Sequence, residues 1–349
     1  MSGNRPDIVE ESDFPISVRA RILSGEEGVA ETIQLLRSGE VVGIPTETVY
    51  GLAGHAFDPL AIARIFEVKG RPLTDPLIVH LGDPEELSRV ARWESDAEKA
   101  LVSKLAESFW PGPLTILLKK NPDIPDLVTS GSESVAVRVP SHPLFRQVLK
   151  GLGAPVAAPS ANRFGKISPT SPRDVLFELG KSIEAILDGG PCAHGVESTI
   201  VRVSGERIEI LRHGPITEED LRKFGQIVSS NRNGNTPGSL AGHYAPGKRL
   251  SILEADIKDL IPEPGSAFLA FRQPAPDVAA RFHTVEVLSP EGDLREAAIQ
   301  FYGHLRALDQ SAAVQILAEP LPEEGIGKAI MDRLRRASYG SLHQTGHSG

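Results

Sequence analysis

The chain has 349 residues, 40% hydrophobic and 24% charged, which is enough for two domains of ordinary size with a sizeable core. Its 37 Lys plus Arg are outnumbered by 46 Asp plus Glu, a net charge of -9, which argues against a protein that coats nucleic acid while leaving room for a local basic cleft. A single cysteine, Cys192, excludes an intramolecular disulfide framework and suits a reducing cytoplasm. The start "MSGNRPDIVEESDF" lacks the pattern of a signal peptide, and no apolar run approaches the roughly 18 residues of a membrane span.

Residues 26 to 38 carry Val29, Ile33 and Leu36 at helical spacing and predict a helix. "EVVGIPTETVYGLAG" follows as a short strand ending at Pro45. In "DPLAIARIFEVK", Asp58 as N-cap and Pro59 at the first position open a second helix. "PLIVHL" reads as a strand, and residues 84 to 109 as one long helical segment. "GPLTILLKK" and "SVAVRVP" are strands, the second alternating with period two, and "APVAAPSAN" is a short apolar run into a polar loop. Ser171, Pro172 and Asp174 start a helix of capping-box type. "AILDGG", "STIVRV" and "RIEILRHG" read as strands, and a helix opens at Thr217. Strands and helices mix without a strict βαβ repeat, so residues 25 to 225 are expected to be an α+β or open-sheet α/β domain after an N-terminal extension over 1 to 24.

Residues 226 to 249 are rich in Ser, Asn, Gly and Pro, a linker composition. Beyond them "LSILEA", "SAFLAF", "TVEVLS" and "VQILAE" alternate with helical stretches at 290 to 309 and 325 to 337. This predicts a small Rossmann-like domain over 250 to 340, without the G-x-G-x-x-G of dinucleotide binding. The end, "SYGSLHQTGHSG" after residue 338, reads as disordered, with a flexible tail over 341 to 349.

The chain lacks a phosphate loop, an H-E-x-x-H helix and paired cysteines, so neither a Walker motif nor a zinc site is supported. Cys192 and His194 are too close in sequence to form a catalytic pair, and Cys192 reads as a small buried residue. Four loops at strand ends stand out instead. "IPTETVYG" supplies Thr46, Thr48 and Tyr50; "KGRP" supplies Lys69 and Arg71; "SANRFGKISPT" supplies Ser160, Asn162 and Ser168; "GVESTIV" supplies Ser198 and Thr199. Hydroxyls, amides and fixed cations together suit a polyphosphate or carboxylate ligand. Each also has a bland reading: Thr and Ser at strand ends are usually caps, Lys69 and Arg71 a solvated pair, His80 a core histidine. Arg138 is odder, because an arginine in so apolar a strand needs an anionic partner from the protein or a ligand.

In order along the chain, "IPTETVYGLAG", "KGRPLTDPLIVH", "WPGPLT", "SVAVRVP", "APSAN", "ESTIV" and "LRHGPIT" resemble the L-threonylcarbamoyladenylate synthase family, which has a YrdC-like fold. The resemblance covers about residues 25 to 220, and "HYAPG" with the C-terminal domain resembles the family's long form. It implies a nucleotidyltransferase that makes threonylcarbamoyl-AMP and pyrophosphate from L-threonine, bicarbonate and ATP. The product serves the N6-threonylcarbamoyl modification of adenosine 37 in tRNA, through a downstream threonylcarbamoyl-transferase. The implied cofactor is Mg2+ carried by ATP, with no protein side chain assigned as its ligand. Lys69 and Arg71 stand at the K-x-R motif that meets the triphosphate and are the expected catalytic pair. Asp75, Ser134, Ser160, Asn162, Ser168, Arg212 and Tyr244 complete the expected ATP contacts, Tyr244 from a linker acting as a lid. His80, Arg138 and Ser198 match positions that hold threonine, together with Thr46 or Thr48, between which the motif does not choose. The rival from another class is an RNA-binding module of YrdC-like fold, against which the net charge and the scarcity of aromatic side chains weigh.

Overall fold

The computed structural model of the chain describes residues 19–228, 242–254, 257 and 260–343. Most of the expected extension, the middle of the expected linker and the last six residues of the expected tail lie outside the described residues.

β1 (Arg21–Leu23) leads into α1 (Gly25–Arg37), and β2 (Val42–Ile44) and β3 (Gly51–His55) bracket the "PTETVY" turn. α2 (Pro59–Lys69) starts where Asp58 accepts from the Leu60 amide at 2.9 Å and stops at Gly70, whose φ of +61° is the left-handed conformation that favours glycine. β4 (Ile78–His80) follows.

The long helix expected over 84 to 109 is broken. A 3-10 turn (Pro84–Glu86), α3 (Leu87–Val90) and β5 (Ala91–Arg92) precede α4 (Asp96–Phe109), which Ser95 caps by accepting from the Glu98 amide. The break exists because β5 pairs with the end of β6 (Leu114–Lys120), a nonlocal ladder that helical periodicity cannot reveal. Then come α5 (Asp126–Thr129), β7 (Ser134–Arg138), α6 (Pro143–Leu152), β8 (Val156–Ala157), α7 (Pro172–Leu179), β9 (Ala185–Leu187), β10 (Thr199–Ser204), β11 (Arg207–Arg212), α8 (Glu218–Leu221) and β12 (Gln226–Val228). The capping box of α7 is present, and a second one opens α8 at Thr217, although α8 is a single turn.

These strands form one mixed sheet in the order β1-β9-β2-β3-β8-β4-β7-β6-β10-β11-β12, with β5 paired to β6. β4 and β7 run parallel with His80 opposite Arg138, so two side chains distant in sequence meet at one sheet position.

The second unit has β13 (Arg249–Ile252), β14 (Ser266–Ala270), α9 (Pro276–Ala279), β15 (Thr284–Val287), α10 (Leu294–Gln310), β16 (Gln315–Ala318) and α11 (Gly327–His343). Its four strands are all parallel, in the order β13-β16-β14-β15, as the alternation predicts. The disorder expected after residue 338 is corrected through His343, because α11 continues that far and buries Gly340 and Ser341. The units share a core: Val49, Ile167 and Val196 of the first pack in one apolar cluster with Phe301, Tyr302, Ile330 and Ala337 of the second. Among the described residues no helix is long and apolar enough to cross a membrane.

Candidate functional site

The cleft forms at strand ends. β2 stops before Pro45, which has no N–H to extend the ladder. Thr46 makes the turn that follows, its Oγ1 donating to the Val49 carbonyl at 2.6 Å and accepting from the Thr48 amide at 3.0 Å. The Thr48 hydroxyl instead accepts from Arg138 Nη1 at 2.9 Å. Both threonines line the cavity and their hydroxyls lie 2.9 Å apart, so each is already engaged and the geometry does not choose between them.

The two cations of "KGRP" part company at Gly70. The Arg71 amide turns back to the Phe66 carbonyl at 3.0 Å. Its guanidinium is then wrapped by the proline-braced loop it opens: Nε donates to the Asp75 carbonyl at 2.9 Å and Nη2 to the Pro76 carbonyl at 2.8 Å, with the Asp75 carboxylate also at 2.9 Å. Lys69 turns to the "SAN" loop, where Nζ donates to the carbonyls of Ser160 at 2.6 Å and Asn162 at 2.5 Å.

Ser198 precedes β10 and Arg212 ends β11. Arg212 Nε donates to the Ser198 carbonyl and Nη2 to its Oγ, both at 3.0 Å, and Thr115 Oγ1 lies 2.8 Å from the same hydroxyl. Over the cleft lies the segment beginning at Gly242. Its Ala245 amide donates to the Gly165 carbonyl at 2.8 Å, and the His243 ring stands edge-on to Phe164 with centroids 4.9 Å apart. Tyr244 holds φ at +70°, a left-handed strain of about 1–3 kcal/mol for a side chain of this size.

The cavity so formed holds about 560 Å³ of unfilled space, its mouth included. From the expected threonine contacts it is lined by Thr46, Thr48, His80, Arg138 and Ser198. From the expected ATP contacts it is lined by Arg71, Ser160, Arg212 and Tyr244. Lys69, Asn162, Asp75 and Ser168 sit behind the wall, Asp75 bridging Arg71 and His243 Nε2 (3.3 Å) and Ser168 donating to Glu197 Oε1 at 2.7 Å. Ser134 starts β7, four residues from Arg138 and so about 13 Å along an extended strand. It is not brought to the wall.

The charges here are buried and already paired. Arg138 is 3% exposed and lies 2.5 Å from the Glu47 carboxylate. Burial pushes the Glu47 carboxyl up, but the adjacent Arg138 outweighs it and holds the group below its usual range. Burial, reinforced by Arg138, drives the His80 pKa down to about 3, so the imidazole is neutral near pH 7, and its Nδ1 has no hydrogen-bond partner among the described residues. Lys69 is pushed well down by burial and by Arg71 beside it. Burial also lowers His243, despite Asp75.

A metal site can be tested on the same side chains. Among the described residues no group of three or more His, Cys, Asp or Glu could hold an ion. The Asn162 amide donates to the Arg163 and Lys166 carbonyls at 2.7 and 2.9 Å, which turns Oδ1 elsewhere, buried and without a hydrogen-bond partner among the described residues. One neutral oxygen fits a magnesium ion carried mainly by a triphosphate, and not one caged by the protein.

Three residues at the site escape a reading of the sequence. Glu47 is hidden between two threonines that attract attention first. His243 stands beside Tyr244 in "HYAPG" and lines the cavity. Glu197, in "GVESTIV", also lines it and is bonded to the second unit, a partnership with no local signal.

A mixed sheet with cations and hydroxyls at its strand ends, covered by a segment leading to a parallel-sheet unit, defines a YrdC-like protein with an appended domain. Residues 34–214 match the family model described as "Telomere recombination", that of Sua5, YciO and YrdC, and residues 216–338 match "Threonylcarbamoyl-AMP synthase, C-terminal domain". The chain is 36% identical over 341 residues to the threonylcarbamoyl-AMP synthase of Bacillus subtilis, covering 94% of this chain and 97% of that protein. It is also 36% identical over 338 residues to that of Pyrococcus abyssi, covering 93% and 97%. The crystal structure of P. abyssi Sua5 complexed with L-threonine matches at a TM-score of 0.82 and 34% identity, over 92% of this chain and 98% of that one. The chain belongs to the threonylcarbamoyl-AMP synthase family.

Proposed function

We propose that this protein is the nucleotidyltransferase that makes L-threonylcarbamoyladenylate from L-threonine, bicarbonate and ATP, for the N6-threonylcarbamoyl modification of tRNA. The observation that carries the reading is convergence: Arg138, His80 and Ser198 share one cavity with Arg71, Ser160 and Arg212. An amino acid and a triphosphate can therefore be held against each other.

Bicarbonate takes up a proton and loses water to give CO2; the threonine amine adds to the CO2 carbon and gives up a proton that replaces the one consumed, forming a carbamate. A carbamate oxygen then bonds to the α-phosphorus of ATP as the bond from that phosphorus to the β-bridging oxygen breaks, and pyrophosphate leaves with the electron pair. Two anions must approach, so fixed donors supply most of the help. Arg138 takes the threonine carboxylate, exchanging part of its pairing with Glu47, while neutral His80 and the bonded hydroxyl pair of Thr46 and Thr48 face the amino acid. Arg71 and Arg212 face the phosphates; Lys69 holds the Ser160–Asn162 loop in place. Asn162 Oδ1 would hold the magnesium, which when bound neutralises charge on the triphosphate. Tyr244 and His243 exclude water from a labile carbamate. Downstream, a transferase that moves the threonylcarbamoyl group to tRNA is the implied partner. RNA binding is not favoured, because the cleft's cations are buried and paired within the protein.

The test is to incubate the protein with ATP, bicarbonate and labelled L-threonine and look for a threonine-dependent adenylate and pyrophosphate. Omitting bicarbonate should abolish both. Pyrophosphate release that ignores bicarbonate would indicate ordinary amino-acid activation and refute the reading.

A further inference from the structure

The reaction above does not call for Glu197, a carboxylate in the cavity wall. It is nonetheless bonded by three side chains. Ser168 Oγ donates to its Oε1 at 2.7 Å, the Tyr302 hydroxyl lies 3.0 Å from both oxygens, and Arg333 Nε donates to Oε2 at 3.1 Å. Burial pushes the carboxyl up, yet Arg333 and then Arg212 outweigh burial and keep it below its usual range.

Tyr302 and Arg333 come from α10 and α11 of the second unit, and Arg333 is 0% exposed. The same guanidinium donates through Nη1 to the His213 carbonyl at 2.6 Å and lies 5.8 Å from the centre of the Tyr244 ring. Tyr302 also packs on Tyr244, with ring centroids 5.7 Å apart. Besides bonds to Asp332 and Ala329 on its own helix, Arg333 reaches Glu197, beside Ser198; His213, beside Arg212; and strained Tyr244. Ser198 and Arg212 are bonded to each other across the cavity floor. A planar fork with fixed donors suits this task, since it sets distance and angle together.

We propose that Arg333 and Tyr302 are positioning residues for the substrate cleft. Through Glu197 and the His213 carbonyl they hold Ser198, Arg212 and Tyr244 in the geometry that receives the substrates. The proposal rests on the function given above. It assigns the second unit a part in the reaction: it braces the wall of the site from behind. Neither residue touches a reacting atom.

The bland alternative is a staple between two units, which would cost stability alone. Three variants separate them: Tyr302→Phe, which removes one hydroxyl, Arg333→Met, which keeps volume, and Arg333→Lys, which keeps charge. Melting temperature is measured beside kcat and the separate KM values for threonine and ATP. Positioning predicts that Arg333→Met raises both KM values tenfold or more, that Arg333→Lys recovers only part, and that Tyr302→Phe raises at least one KM threefold or more. Adding Glu197→Gln to Arg333→Met should bring little further loss, because the two act through one contact. Lower melting temperatures with both KM values within twofold of wild type would overturn the proposal; if Arg333→Met does not fold, Tyr302→Phe decides by the same criterion. Hydrogen exchange of the amides of residues 196–200 and 242–246 gives a readout independent of turnover. Faster exchange confined to them in Tyr302→Phe supports positioning, and unchanged exchange opposes it. A wild-type protein without threonine-dependent pyrophosphate release would sink the reading of function, and the exchange measurement would still judge the positioning.

Discussion

One substitution pair separates the pairing of Arg138 with Glu47 from its proposed hold on the threonine carboxylate. Its guanidinium bonds to the Gly112 carbonyl at 3.1 Å and Thr48 Oγ1 at 2.9 Å, and it pairs with Glu47 at 2.5 Å. Arg138→Met removes the cation and leaves Glu47 as a buried carboxylate without compensation, which costs about 3–5 kcal/mol of stability. It also removes a charge-assisted bond to the threonine carboxylate, worth about 2 kcal/mol, or roughly a thirtyfold rise in the threonine KM. Adding Glu47→Gln neutralises the stranded charge. The double variant should therefore regain most of the lost stability and none of the threonine affinity. Urea unfolding reads the first quantity and the threonine dependence of pyrophosphate release the second. A double variant with wild-type threonine dependence would show that Arg138 serves only Glu47.

Arg71→Ala removes a cavity-facing cation that Lys69 cannot replace while its ammonium is held by Ser160 and Asn162. The expected result is a drop in kcat of about a hundredfold, with calorimetric threonine binding intact; wild-type turnover would take Arg71 out of the chemistry. For His80 the sign is that of a depressed histidine: with a folded pKa of about 3 the native state takes up no proton where the unfolded chain does. Its contribution is complete above an unfolded pKa of about 6.5 and is lost as pH falls, by about 2 kcal/mol between pH 6.5 and 5. His80→Gln should flatten the pH dependence of urea unfolding in that window, and an unchanged slope would mean that His80 protonates freely when folded. In Gly340→Ala, the new Cβ would lie 2.7 Å from the Gly242 carbonyl and 2.8 Å from Ala245 Cβ, so the segment carrying His243 and Tyr244 must shift. A several-fold rise in the ATP KM with little change in that for threonine is expected, and equal effects on both would contradict a nucleotide-side lid.

What the sequence makes legible here is whatever short-range chemistry decides. Asp58 with Pro59, and Ser171 with Asp174, announce helix starts, and both are where the caps require. α6 also carries its own punctuation, Pro143 at its start and left-handed Gly153 at its end, and a stricter reading of "HPLFRQVLKGLG" finds it. The break before α4 is different in kind, since it depends on Ala91 and Arg92 finding Lys120 and Lys119 across the sheet. The site divides the same way. "KGRP" and "SVAVR" reveal cations in unusual settings, but only the fold shows that Arg71 reaches the cavity while Lys69 props the neighbouring loop.

Arg333 marks the limit of such reading. In "MDRLRRAS" it is one of three arginines on a polar helix and looks like part of a solvated basic face. Arg335 and Arg336 keep that character, half-exposed or more at their side chains or paired along the helix, whereas Arg333 is sealed against Glu197. The consequence reaches the role of the covering segment. Removing residues 226 to 349 would strip away the covering segment, but it would also unpair Glu197 and expose Val49, Ile167 and Val196, whose apolar partners lie in the second unit. Loss of activity in the shortened protein would therefore say nothing specific about closure. Gly340→Ala is the sharper instrument, because it presses on the segment from behind while leaving Glu197, Tyr302 and Arg333 unchanged.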